Sequence, residues 1–314
     1  MHVGAAVLVV SILMVLNTSA MRCCAGRWAC MLELGTVWPR YPALVLWCLS
    51  LLLVSPVGSV CAAAEDVVFP AQVQQGAMVI GKVAPKSQVV YDGRTLTVTN
   101  YGTVVFGVAA DATGPLHLRV TPPGGAALSV DLAVQPRDWP VERVAGLPPK
   151  TVSPPPQIVA RIRREQARVA EARATSDSGT GFAEAFIWPV HGRVSGRFGS
   201  RRIYNGIPGA PHSGMDIAVP TGTPVRAPAS GRVVFADPGL YLTGGTVLID
   251  HGYGIGSNFL HLSRLDVHVG DVVSQGQVIG LAGATGRATG PHLHWGMTWF
   301  EMRIDPLLVL DRTQ

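Results

Sequence analysis

The stretch Pro211-His212-Ser213-Gly214-Met215-Asp216-Ile217 carries the first two of five residues that organise the chain. The others lie in Phe259-Leu260-His261-Leu262 and in Gly290-Pro291-His292-Leu293-His294-Trp295-Gly296. Zn²⁺ takes neutral imidazole nitrogens and carboxylate oxygens, and a catalytic site uses three protein ligands. His212 and Asp216 are four apart, but Pro208, Pro211, Gly214 and Pro220 argue against a helix. A straight strand would hold the two roughly 13 Å apart, too far to share an ion. The chain must bend between them, and Gly214 permits it. This places His212 on a loop and Asp216 at the mouth of a strand, Asp216–Val219. Leu293, Trp295 and Met297 alternate with His292, His294 and Gly296, the period of a half-buried strand. Both histidines then face one side, about 7 Å apart. One can bind a metal while the other faces water on it. His261, in the strand-like run Ser257–Leu262, can supply a second such group.

A lone histidine on a strand is usually a satisfied surface or core residue; the combination is what carries weight. The H-x-x-x-D, the central H-L and the H-x-H resemble the M23 (LytM/lysostaphin-like) zinc metallopeptidases, a family of peptidoglycan endopeptidases. The match runs from about Ile187 to Leu310 and includes Gly196-Arg197-Phe198-Gly199-Ser200-Arg201 and Gly222-Thr223-Pro224-Val225. The resemblance implies His212, Asp216 and His294 as ligands of one Zn²⁺ per chain and His261 and His292 as catalytic histidines. Phe259 stands where the family often has tyrosine, which removes a hydroxyl but keeps a ring suited to a core-facing position.

Outward from this segment, the fold reads as mainly β. An antiparallel β-sheet domain of the M23 type, 187–314, has its principal strands at Gly231–Ala236, Gly245–Asp250, Gly276–Ala282 and Pro291–Thr298. Before it, 148–186 reads as a Pro-rich linker and a helix, Gln157–Ala174, begun by Pro156. Ile158, Ile162 and Val169 form a narrow apolar stripe among five arginines. A basic helix can bind an anionic polymer, but such a run is more often a solvated face. Thr175–Gly181 reads as a flexible polar segment. Residues 65–147 read as a small β-sandwich-like domain, with a hairpin at Asp92-Gly93 between Val89-Val90-Tyr91 and Leu96-Thr97-Val98.

Residues 1–64 read as a targeting region. Ala43–Val57 follows Arg40 and precedes Ala62-Ala63-Ala64, the layout of a signal peptide. The alternative is a retained N-terminal anchor, the one membrane contact the sequence offers. Cys23, Cys24, Cys30, Cys48 and Cys61 all lie there, so a processed chain has no disulfide framework and no cysteine metal site. Three of the 25 basic and one of the 20 acidic residues also lie there, leaving a charge of +3, no case for nucleic acid.

The implied chemistry is hydrolysis of peptide bonds in peptidoglycan by an exported, periplasmic enzyme. Glu301 is the only glutamate after Glu184 and lies outside the motifs, so histidine is the available base. His261 and His292 jointly serve proton transfer and oxyanion stabilisation; Arg201 or Tyr204 is a candidate substrate-binding donor. The rival reading is a catalytically silent M23-like protein that activates cell-wall amidases, which predicts a degenerate motif. A third is a zinc enzyme acting outside the wall. No H-E-x-x-H or Gly-x-Ser-x-Gly occurs, and the two glycine clusters, Gly252–Gly256 and Gly283–Gly290, lack the strand-loop-helix context of phosphate loops.

Overall fold

A computed structural model describes residues 67–146 and 152–311. The expected signal peptide with its cysteines, and the first part of the expected Pro-rich linker, 147–151, lie outside the described residues. Among those described, no helix is long and apolar enough to cross a membrane.

The chain is mainly β. Its largest sheet has eight strands, and the central ones run Gly231–Leu240, Gly244–Asp250, Ile255–Leu262, Leu293–Trp299 and Met215–Ala218, each antiparallel to the next. Arg193–Gly196 closes the edge beyond Met215–Ala218. Strand Leu293–Trp299 shares one side in succession, first with Met215–Ile217 and then with Met302–Ile304. The alternation at Leu293, Trp295 and Met297 predicts a half-buried strand, yet all seven residues of Leu293–Trp299 are buried. The apolar set enters the core with Met215, Ile217, Ile255 and Phe259. The opposite face, with His294, Gly296 and Thr298, is covered as well.

The helix packs on the same face further along, over the strands Gly231–Leu240 and Gly244–Asp250. It spans Pro156–Ala174, one residue longer than expected, with proline in its first turn. Val169 packs with Phe235, Leu240 and Leu248 in a small core of its own. Its arginines are partly engaged by the protein. Arg161 donates to Glu165 and to the Gly239 carbonyl, and Arg168 pairs with Asp237. The segment Thr175–Gly181 is likewise tied down, contrary to its polar composition. Asp177 N–H donates to Asp250, Gly254 N–H to Ser176 Oγ, and Tyr253 N–H to the Asp177 carbonyl. The Gly252–Gly254 turn permits this approach, since a Cβ at Gly252 would lie 1.7 Å from the Gly179 carbonyl oxygen.

The N-terminal strands form a five-stranded and a two-stranded sheet. The hairpin expected at Asp92-Gly93 is present, and both residues have positive φ, 48° and 71°, as a two-residue turn requires. These sheets share a core with the large one: Phe106 and Tyr91 pack on Trp299, and Arg137 pairs with the buried Asp305. Strand Val141–Val144, which the sequence did not single out, pairs in parallel with Arg201–Tyr204.

Candidate metal and catalytic site

Register assembles the site. Asp216 lies directly opposite His294 across the antiparallel pair, so both side chains share a face. His212 arrives from the preceding loop, with its backbone N–H on the Ser200 carbonyl. The bend expected at Gly214 is there, and it brings the backbone close to the next strand. A Cβ at Gly214 would lie 2.5 Å from the Trp295 carbonyl oxygen and 2.8 Å from His294 Nε2.

Three ligand atoms converge. His212 Nε2 and His294 Nδ1 are 3.0 Å apart, His294 Nδ1 and Asp216 Oδ1 2.9 Å, and His212 Nε2 and Asp216 Oδ1 3.1 Å. Four ligands held tetrahedrally at about 2.0–2.1 Å from Zn²⁺ lie roughly 3.3 Å apart, so the triangle suits one such ion. His212 Nδ1–H donates to the Arg197 carbonyl, 3.0 Å away, which leaves the Nε2 lone pair facing the triangle. Among the described residues, these three are the one group of His, Cys, Asp or Glu close enough to hold a metal.

Burial alone would raise the Asp216 carboxyl. Hydrogen bonds and charge from His212 and His294 outweigh it and hold the group far below the usual carboxylate range. Burial lowers His294 to about 4, against the pull of Asp216. Both effects favour the forms a cation needs, a carboxylate beside neutral imidazole.

The second oxygen of Asp216 is held by Arg202. Its Nη2 donates to Oδ2 at 2.6 Å, while its Nε donates to Glu142 at 3.2 Å. Glu142 comes from the strand Val141–Val144 and also accepts the Arg197 N–H. Gly196 makes room, since a Cβ there would lie 2.5 Å from Arg202 Nη2 and 2.6 Å from Asp216 Oδ2. The reading of the sequence missed Arg202 and singled out its neighbour. Arg201 is exposed, because alternation along Arg201–Tyr204 turns it away. Tyr204 lies under the Arg287 guanidinium, 4.6 Å from its ring centre. The strand period could have separated Arg201 from Arg202, but not which of them meets a carboxylate.

His261 and His292 complete the cluster, their ring centres 4.7 Å apart. Leu260 pairs with His294, so regular alternation would aim His261 into the core. A bulge prevents this: Leu260 and His261 together oppose Thr246, and His261 takes a left-handed φ of 65°. His261 Nδ1–H donates to the Thr285 carbonyl and His292 Nδ1–H to the Gly290 carbonyl, each at 2.8 Å. Both Nε2 atoms then keep a lone pair. His292 Nε2 lies 3.8 Å from Asp216 Oδ1. Burial, then the neighbouring histidines, lower His261 to about 3. Phe259 is fully buried in the core, and Glu301 is exposed beside Arg94, outside the cluster.

The family model for Peptidase family M23 matches residues 210–306, the segment that holds all five residues. Peptidoglycan DD-endopeptidase ShyA of Vibrio cholerae is 46% identical over 104 residues, 33% of this chain and 24% of that protein. Cell division protein DipM of Caulobacter vibrioides is 33% identical over 172 residues, 51% of this chain and 26% of that one. The chain thus spans about a quarter of the length of these curated relatives. A Pseudomonas aeruginosa crystal structure assigned to peptidase M23 matches with a TM-score of 0.59 and 31% identity, over 75% of this chain and 94% of that one.

Proposed function

This chain belongs to peptidase family M23, and from that premise we propose that it is a zinc-dependent endopeptidase that cuts peptide bonds in bacterial peptidoglycan. One observation carries the reading: three ligand atoms meet within 3.1 Å, with two histidines of free Nε2 beside them. Zinc held there would supply a Lewis acid that polarises the scissile carbonyl and acidifies a water toward a pKa of about 7.

The chain's own residues do the rest. Arg202 fixes Asp216 so that Oδ1 alone faces the triangle. The Arg197 carbonyl sets the tautomer of His212. His261 and His292, each held by its Nδ1–H on a backbone carbonyl, turn Nε2 to the reacting centre, where it can accept a proton from the attacking water and return it to the leaving amine. Once protonated, either donates to the tetrahedral oxyanion. No glutamate of the described residues stands in the cluster to take this role.

The substrate fits export through residues 1–64 to a Gram-negative periplasm, where a D-alanyl–diaminopimelate cross-link is the expected bond. The test is digestion of purified sacculi by the zinc-loaded chain, with mass spectrometry of the released muropeptides. Cross-linked dimers should fall to monomers. Sacculi left intact by protein that carries one zinc per chain would reject the enzyme and favour a binding role.

A further inference from the structure

Among the described residues, four buried polar side-chain atoms lack a partner: Arg173 Nε, Asn258 Oδ1, His294 Nε2 and Arg303 Nη1. They are not scattered. Asn258 pairs with Gly296 and Arg303 with Thr298, and residues 294, 296 and 298 share one face. Asn258, His294 and Arg303 therefore lie on the site face of the sheet. Arg173 comes from the last turn of the helix that covers that face. Between helix and sheet runs a cleft of about 320 Å³, lined by Arg173, Arg303, Asn258, Ser213 and Leu260. Ser213 adjoins His212 and Leu260 adjoins His261, so the cleft starts beside the metal site.

Two half-buried guanidinium groups in one cleft make no ion pair among the described residues. Arg137, Arg161, Arg168 and Arg202 each meet an acid. Glu165 also lines the cleft, but its oxygens already accept from Arg161 Nε and the Tyr241 N–H. Burial and then the charge of Arg303 lower Arg173 to about 9, against a weaker pull from Glu301, which forms its ion pair with Arg94 instead. An unpaired buried charge is costly and two like charges more so, which a fold retains where a ligand brings the counter-charge. The planar fork of arginine matches a carboxylate with two parallel hydrogen bonds.

We propose that this cleft is a substrate subsite in which Arg173 and Arg303 hold a free carboxylate of the peptidoglycan stem peptide next to the bond cleaved. The inference rests on the endopeptidase reading and specifies its substrate. The four-residue step from His294 to Thr298 is about 13 Å, roughly four residues of extended peptide. The carboxylate thus lies within that distance of the scissile bond. Stem peptides whose carboxylates are amidated should be poor ligands.

The test uses the zinc-loaded full chain and two probes. One is an uncross-linked stem peptide for binding, the other a cross-linked dimer for cleavage; each is prepared with its diaminopimelate carboxylates free and amidated. The free acid should bind at least tenfold tighter than the amide and shift the Nε–H resonances of Arg173 and Arg303. The same ratio should appear in kcat/KM. Arg173→Met and Arg303→Met keep the apolar stem, and each should erase the preference with zinc content unchanged and melting temperature no lower. Equal binding of acid and amide, or a preference that survives both substitutions, would overturn the subsite and leave the endopeptidase intact. A binding preference without cleavage of either dimer would do the reverse.

Discussion

Asp216 presents one oxygen to the metal site and one to Arg202, and that division makes the roles of the surrounding residues separable. Asp216→Ala or His294→Ala removes one of only three ligands and should abolish both zinc binding and activity. His261→Ala or His292→Ala should keep close to one zinc per chain while activity falls by about 10²–10⁴, the range for a general acid–base group. Metal analysis beside a sacculus-clearing assay checks this; zinc loss in His292→Ala with retention in His294→Ala would exchange the two roles. His268, exposed and outside every motif, is the control that should stay active. Arg202 acts through Asp216. Arg202→Gln should weaken zinc affinity about 10- to 100-fold, as removal of such a supporting group does. Gly196→Ala should do the same by crowding the pair. Competition with a chromogenic chelator measures both, and unchanged affinity in both variants would free Arg202 of that role.

At the scale of elements, His251 joins the turn at Ser230 to the strand Ile255–Leu262. Its Nδ1 bonds the Ser230 carbonyl and its Nε2 meets Ser257 Oγ, each at 2.8 Å. It lies outside the motifs and is buried in the core. Burial lowers it to about 4. A histidine whose folded pKa lies below its unfolded value of about 6.5 contributes fully above pH 6.5 and loses that contribution as pH falls toward 4. The decline amounts to about 3 kcal/mol at 1.36 kcal/mol per unit. Urea unfolding from pH 7.5 to 4.5 should therefore show a shallower loss in His251→Gln than in the parent. Identical slopes would place the titration elsewhere. The helix Pro156–Ala174, whose arginines suggested a solvated face, is packed on the sheet through Val169. Its stripe at Ile158, Ile162 and Val169 marks a packed face, but a stripe cannot name what it packs on. Long-range contact put it over the site face of the sheet, where Arg173 reaches the cleft.

Across the whole molecule, the N-terminal sheets and the large sheet share apolar surface. Phe106 and Tyr91 meet Trp299, and a Cβ at Gly107 would lie 2.9 Å from both Ile304 and Trp299. Strand Val141–Val144 adds a parallel pairing that delivers Glu142 to Arg202. Calorimetry of the chain from residue 65 should therefore show one cooperative transition. A fragment beginning at Ile187 should melt lower, because it uncovers Trp299 and Ile304. Two separated transitions in the longer chain would show the regions to be independent. Limited proteolysis should cut first at Pro148–Pro156 and spare Thr175–Gly181, whose backbone is bonded to the turn at Asp250–Gly254.

Local chemistry carried the β class, the turn at Asp92-Gly93, the bend at Gly214 and the start of the helix, because each depends on residues a few positions apart. The chemistry of the motifs was legible for the same reason: histidine and carboxylate at short spacing have few other uses in combination. Register lay beyond the sequence. That Asp216 faces His294, that a bulge turns His261 away from the core, and that Arg202 rather than Arg201 meets the carboxylate all depend on partners up to 78 residues away. A one-residue shift in pairing would move each side chain to the other face of its sheet. Packing of the two inner sheet faces selects against that shift, and it is a property of the assembled core rather than of any stretch of chain.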